Sequence, residues 1–333
     1  MTAMRELALS AQVLFFSGKG GVGKTTLASA TALAAARQGK RVLVVSTDPA
    51  HNLGHLWQRE VGQEPVQLWF PGDLPAASPL SRAGRGEVQG VELDAAALAA
   101  AHLDSVAQTL RGFVADSMRG HLDDYIDLVR QAPGTHDSAL SQTIAELCVK
   151  QRGDYDLVIF DTAPTGHTAR LMHMPRMLSR YSEALLTRRK RAQDFADVAT
   201  ALGQDNRDRE RDDRIVDILK GRQQLFEDFH ALMVDPRKVA FVLVLTAERM
   251  PVLETIDFAG ELARLSIEVG ATVVNRRTPI SDVELLQQRR LLEDEYTSQL
   301  RQQLPDIALV EVPQLVGEPT GVEALTEVGD WLI

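Results

Sequence analysis

The sequence predicts an α/β fold: a doubly wound, mostly parallel sheet carrying a phosphate loop, with a helical subdomain formed by insertions. Three observations predict it. Six short apolar runs bounded by turn residues read as buried strands, helical patterns separate several of them, and a glycine-rich segment joins the first run to a helix. The strands are expected at residues 12–16, 41–46, 157–160, 239–245, 271–274 and 308–312. A short connection joins the first two, but more than a hundred residues separate the second from the third.

The elements follow in order. After the first strand, residues 26–37 are an alanine-rich helical run. Residues 57–90 are rich in Pro, Gly and Ser and read as an irregular or hairpin-bearing excursion. From 98 to 129 apolar residues recur at helical spacing, among them Leu103, Leu110, Phe113, Met118 and Ile126. Pro133-Gly134 breaks that pattern, and a shorter helix resumes over 138–150. Beyond the third strand, Pro175 suits the first turn of a helix bearing Leu178, Tyr181 and Leu185. A later stripe runs from Ile215 through Phe226 and Phe229 to Met233, and residues 205–214 before it are mixed-sign and apolar-free, as a solvated helix face or mobile connector would be. The expected organisation is one phosphate-loop domain over 1–333, with a helical subdomain from insertions at about 95–150 and 170–235.

Composition narrows the function classes. Of 333 residues 44% are hydrophobic and 25% charged, which suits a globular core, and the formal charge of -10 argues against a nucleic-acid surface. No apolar run reaches the length of a membrane span and the N-terminus lacks a signal pattern, so the expected location is cytoplasmic. The single cysteine, Cys148, excludes a disulfide framework and an all-cysteine metal site within one chain.

Chemistry concentrates in Gly18-Lys19-Gly20-Gly21-Val22-Gly23-Lys24-Thr25-Thr26, placed between a strand and a helix. Gly18, Gly20, Gly21 and Gly23 let backbone N–H groups converge on phosphate oxygens, and the helix beginning near Lys24 adds its positive end. Lys24 would reach the β- and γ-phosphates, and the Thr25 hydroxyl would ligate Mg²⁺. The glycines also fit a dinucleotide fingerprint, with Asp48 as its ribose acid. Lys24-Thr25 decides against that reading, because a γ-phosphate and a metal need both residues and a dinucleotide needs neither. Asp48 also lies in the turn-rich Asp48-Pro49-Ala50-His51-Asn52 rather than at a clean strand end. Lys19 is unusual in such a loop. Too near its own loop to approach its own γ-phosphate easily, it could reach a nucleotide across a two-fold axis and stabilise the transition state in trans.

With Lys19 in place, the loop resembles the deviant phosphate loop of the class that includes nitrogenase iron protein, the Min and Par partition ATPases, and the arsenical-pump and tail-anchored-protein-targeting ATPases. Two segments narrow the resemblance to the last two. Asp48-Pro49-Ala50-His51-Asn52-Leu53 is similar to their first switch, and Asp161-Thr162-Ala163-Pro164-Thr165-Gly166-His167-Thr168 to their second. Pro133-Gly134, residues 245–255 and Glu318-Pro319-Thr320-Gly321 also match. The resemblance implies that Asp48 orients the attacking water, that Asp161 holds Mg²⁺ through water, and that the Gly166 N–H senses the γ-phosphate. It further implies that Asn275 contacts adenine together with the loop at Pro313, and that the cofactors are ATP and Mg²⁺ in a homodimer.

Other family features are missing from the sequence. No Cys-x-x-Cys pair is available to clamp zinc, and one thiol per chain is too few for a trivalent metalloid site. His51 and His55 share a helical spacing but lack a third ligand. Met172, Met174, Met177 and Met233 suit either an adaptable apolar client surface or ordinary core packing. The expected function is a homodimeric nucleotide switch that delivers a hydrophobic protein client to a membrane, touching that membrane only through a partner. The alternative is the energising subunit of an arsenite or antimonite efflux pump, and a partition-type ATPase is weaker for want of a basic amphipathic anchor.

Overall fold

The computed structural model describes residues 3–48, 52–73, 86–111, 119–132, 134–150, 153–163 and 209–333, with single residues at 168, 172, 177, 183 and 187. Its spine is an eight-stranded sheet in the order β3-β4-β2-β5-β1-β6-β7-β8. The strands are β1 (Val13–Ser17), β2 (Arg41–Ser46), β3 (Val66–Trp69), β4 (Glu87–Glu92), β5 (Leu157–Asp161), β6 (Val239–Thr246), β7 (Val269–Arg277) and β8 (Ala308–Pro313). All pairings are parallel except β3 with β4. The sheet is therefore the doubly wound α/β arrangement that the apolar runs predict.

Why these strands are central follows from their composition. Every residue of β1 and β5 is buried, as expected of parallel strands covered on both faces. On one face Phe15 stacks between Phe160 and Phe241, with ring centroids 4.8 and 4.9 Å apart, so three neighbouring strands are locked in register by aromatic contact. On the other face Leu14 and Phe16 join the main core with Leu27 and Leu33 of the helix after β1.

Ten helices are described: α1 (Ala3–Ser10), α2 (Lys24–Arg37), α3 (Asn52–Trp57), α4 (Ala95–Arg111), α5 (Arg119–Arg130), α6 (Thr135–Val149), α7 (Arg209–Met233), α8 (Arg249–Arg264), α9 (Glu284–Gln303) and α10 (Gly321–Leu332). Helix α2 is buried nearly all round, and its alanines let α10 approach closely.

The sequence reading misplaced little of this. Its excursion over 57–90 contains β3 and the start of β4, an antiparallel pair that extends the sheet at one edge. Strand β7 runs three residues past Val274, through Asn275 and Arg276 to Arg277, because Arg277 still pairs with Pro313 of β8. Helix α1 has no counterpart in the reading, although Met4 and Ala8 are buried. Of the helix expected from Pro175, Met177, Glu183 and Thr187 are described and helical, while Leu178, Tyr181 and Leu185 lie outside the described residues.

The chain divides into two compact units, one comprising Met1–Asp94, Gln151–Arg170 and Leu232–Ile333, the other Ala95–Lys150 and Leu171–Ala231. The first contains the sheet. The second is helical: α4 packs on α5 and α6, and Leu103, Ala107 and Ile126 form an apolar seam. Arg111–Asp123 at 2.7 Å and Arg130–Asp104 at 2.9 Å bridge α4 and α5 on the surface, each contributing about 1 kcal/mol or less. Among the described residues no helix is long and apolar enough to cross a membrane.

Candidate functional site

The C-terminal ends of β2, β5, β1, β6, β7 and β8 share one edge of the sheet, the edge where open α/β folds place their ligands. The strand ends are stitched together. The Thr47 N–H donates to the carbonyl of Asp161 at 3.0 Å, and the Thr162 N–H and hydroxyl donate to the carbonyl of Phe16 at 3.1 and 2.9 Å. The Ala163 N–H donates to the Thr47 hydroxyl at 3.2 Å. Asp48 and Asp161 thus leave the sheet from neighbouring, fixed positions.

Between β1 and α2 the phosphate loop is shaped by close approach. A Cβ at Gly18 would lie 2.0 Å from the carbonyl oxygen of Val244 on β6. Gly23 holds φ at 94°, and a Cβ there would lie 2.3 Å from the amide nitrogen of Asn275. The Lys24 ammonium is buried and donates to the carbonyl of Lys19 at 3.1 Å, folding its side chain back over the loop. Burial lowers the Lys24 pKa, while the carboxylates of Asp161 and Asp48 act in the opposite sense.

Asp161 is the most unusual group of the site. It is 1% exposed at the end of an apolar strand. Its Oδ2 accepts the Thr25 hydroxyl at 2.6 Å, but its Oδ1 is buried with no hydrogen-bond partner among the described residues. Burial pushes its pKa up to about 7, opposed by the Thr25 hydroxyl and Lys24 and reinforced by Asp48. An unpartnered carboxylate oxygen beside a hydroxyl is an oxygen donor set of the kind Mg²⁺ takes together with waters, so the residues present fit that ion.

Two adjoining spaces flank this centre. One, of about 210 Å³, is lined by Gly21, Lys24, Thr25 and Asp48, with Asn52 and Leu56 of α3 opposite. The other, of about 340 Å³, lies against Asn275, Pro313, Gln314, Leu315 and Pro319. Gly23, Thr26 and Arg276 line both. The Asn275 amide donates to the carbonyl of Val22 at 2.8 Å, so the residue expected at a base here also braces the loop. Arg276, which the sequence reading passed over, has a left-handed φ of 57°, and its N–H donates to the Asn275 side-chain oxygen at 2.9 Å. The next residue is its opposite. Arg277 is buried, with Glu293, Asp294 and Glu311 around its guanidinium, and its carbonyl accepts the Gln314 N–H at 2.8 Å. The sequence signal for this pair was a strand ending in Asn-Arg-Arg ahead of the unmatched carboxylates at 293, 294 and 311.

Lys19 points away from its own cradle. Its ammonium meets Glu254 of α8 at 2.9 Å, with both side chains partly exposed. Pro49, His51 and Gly166 lie outside the described residues, so the second switch is seen through Asp161, Thr162, Ala163 and the buried Thr168, whose hydroxyl lies 2.9 Å from both the Thr162 hydroxyl and the Ala163 carbonyl oxygen that accept from it. Cys148 is fully buried on α6, and burial drives its thiol pKa far upward, the condition of a packing residue rather than a soft ligand. Met172 and Met233 are buried, Met177 is exposed, and Met174 is outside the described residues. No cluster of three metal-ligating side chains occurs among the described residues.

Comparison with known proteins agrees with this geometry. Residues 11–333 match the anion-transporting ATPase family. The chain is 27% identical to the putative arsenical pump-driving ATPase 2 of Aquifex aeolicus, over 96% of this chain and 99% of the relative. It is 28% identical to the ATPase ASNA1 homolog 1 of Paramecium tetraurelia, over 96% of this chain and 92% of the relative. It is 31% identical to the ATPase GET3A of Arabidopsis thaliana, over 94% of this chain and 81% of the relative.

Proposed function

The chain belongs to the anion-transporting ATPase family and is an ATPase, and from that premise we propose that it is a homodimeric nucleotide switch whose hydrolysis drives delivery of a hydrophobic protein client to a membrane. The observation that carries the nucleotide reading is the buried, unpartnered Oδ1 of Asp161 beside the Thr25 hydroxyl and the Lys24 ammonium. In this reading the loop from Gly18 to Thr26 cradles the phosphates, and Lys24 exchanges the Lys19 carbonyl for the β- and γ-phosphates. Thr25 directly, and Asp161 through water, hold Mg²⁺, which supplies neutralisation of the charge on the transferring phosphoryl group. Asp48 orients and polarises the attacking water, Gly166 reports the γ-phosphate, and Asn275 and Pro313 receive adenine.

Lys19 completes the partner's site across the two-fold axis, and ATP draws the protomers together. Its partial exposure and its position outside its own cradle support this role. Because Asp48 lies on the chain that runs through α3, β3 and β4 to the crossing at Ala95, and Asp161 on the chain that runs to the crossing at Leu171, loss of γ-phosphate acts on two of the four chain crossings into the helical unit. The test is Lys19→Ala with Lys24→Ala alongside. Lys19→Ala should lower turnover on the order of 10³-fold while leaving ATP bound, whereas Lys24→Ala loses binding as well. Normal turnover in Lys19→Ala removes the trans lysine.

A second reading, an efflux-pump ATPase working in the cytoplasm against a membrane subunit, is favoured by the family's description as anion-transporting and by the similarity to the putative arsenical pump-driving ATPase of Aquifex aeolicus. The buried state of Cys148 argues that such a protein would not bind metalloid through its own thiol. Steady-state hydrolysis across an arsenite titration separates the two, since saturable stimulation belongs only to the pump reading.

A further inference from the structure

The two spaces at the sheet edge meet at Gly23, Thr26 and Arg276. A nucleotide with its phosphates in one and its base in the other must carry its sugar and α-phosphate past those three residues. Only Arg276 among them is charged. Lys24 is committed to the distal phosphates, and Lys19 reaches out to α8. The α-phosphate would otherwise meet only uncharged donors, backbone N–H groups and the Thr26 hydroxyl.

The backbone at this point is unusual in the same sense. A non-glycine residue at φ 57° carries a steric cost, so the surrounding structure must hold it there. Two contacts do so. The Asn275 side-chain oxygen accepts the Arg276 N–H, and the Arg277 guanidinium is fixed among three carboxylates one residue later. Consecutive arginines consequently take opposite fates: one is buried as a structural cation, the other stays exposed at the cleft and makes no ion pair among the described residues.

We infer that Arg276 is a nucleotide-binding residue whose guanidinium receives the α-phosphate at the junction of the two spaces. A planar, permanently charged fork suits a phosphate oxygen pair, and a group placed there contacts ATP and ADP alike. The arginine therefore sets affinity for the nucleotide as a whole, before and after hydrolysis, in contrast to groups aimed at the γ-phosphate. The inference rests on the nucleotide occupying this cleft.

The experiment is equilibrium binding of a fluorescent ADP and of ATP to the full chain and to Arg276→Asn, Arg276→Lys and Lys24→Ala, with thermal melting of each nucleotide-free protein. Asparagine tolerates the left-handed backbone without the charge, and lysine keeps the charge. Arg276→Asn should weaken ADP and ATP equally, by about tenfold, and flatten the salt dependence of binding, with melting unchanged. Arg276→Lys should recover most of that loss. Binding of ADP by Arg276→Asn within twofold of the parent overturns the inference, as does a lysine variant no better than asparagine. Should Lys24→Ala bind as tightly as the parent, the cleft itself is misassigned, an outcome separate from any result at 276.

Discussion

At the end of the cleft proposed for the phosphates, nine consecutive residues from Gly18 to Thr26 supply the loop, its lysine and its hydroxyl. At the end proposed for the base, the walls come from Asn275 and Arg276 on β7, Pro313 closing β8, and the turn through Pro319. The first is a backbone object whose shape depends on close approach at Gly18 and Gly23. The second is held from behind, by a buried arginine whose carboxylate partners sit on β8 and α9. The difference teaches that one site can contain a locally encoded half and a half encoded by distant residues, and the two should fail differently under mutation.

The sharpest division of the two ends is at Asp48. Asp48→Asn should lower the hydrolysis rate on the order of 10²–10⁴-fold without weakening ATP binding, read by single-turnover kinetics beside equilibrium binding. A rate equal to the parent's would take Asp48 out of the chemistry. Arg277→Ala tests the other end. Removing the cation from among Glu293, Asp294 and Glu311 should cost about 3 kcal/mol of stability and raise the KM for ATP severalfold, measured by urea unfolding and steady-state assay. If stability falls and KM does not, the network supports the sheet alone and the contrast between the ends breaks.

A smaller effect is expected at Glu254, where an exposed ion pair holds Lys19 within its own chain. Glu254→Gln should raise turnover by at most about fivefold, because such pairs are worth 1 kcal/mol or less. A fall in turnover would mean that Glu254 assists Lys19 rather than competes for it. The smallest effect belongs outside both ends, at His102 in the helical unit. Burial lowers its pKa, Arg222 adds to that and Glu146 opposes it. The unfolded chain then protonates this histidine at a higher pH than the folded one. Its contribution is complete above about 6.5 and is lost as pH falls through the depressed folded value. His102→Gln should therefore flatten the acid-side decline of the melting temperature by a few degrees and leave ATP affinity unmoved.

Legibility in the sequence followed the same divide. The loop's place between β1 and α2 could be read because its residues are contiguous and its glycines permit the close approaches found there. Asp161 could be read because a carboxylate closing an apolar strand demands a partner. Arg276 and Arg277 could not be told apart, since exposure and burial of adjacent arginines depend on carboxylates contributed by α9 and β8. Strands β3 and β4 were obscured because their interval is dominated by turn-forming residues and only two of the four residues of β3 are buried. Likewise Glu92, buried at the end of β4, gave no sign that its carboxylate would accept the N–H groups of Leu53 and Gly54 and so anchor the helix after Asp48.

The position of β1 has a consequence for how the protein is made. It precedes every other strand of this sheet in the chain, yet its neighbours are β5, in register at Val158, and β6, in register at Val239. Since the carbonyl of Val244 on β6 packs against Gly18, the cradle cannot take its shape on a nascent chain until most of the sequence has been translated. At roughly 5–20 residues per second that wait is on the order of ten seconds or longer. ATP can therefore act as a folding ligand only late, and chains that stop before β6 should gain no stability from nucleotide.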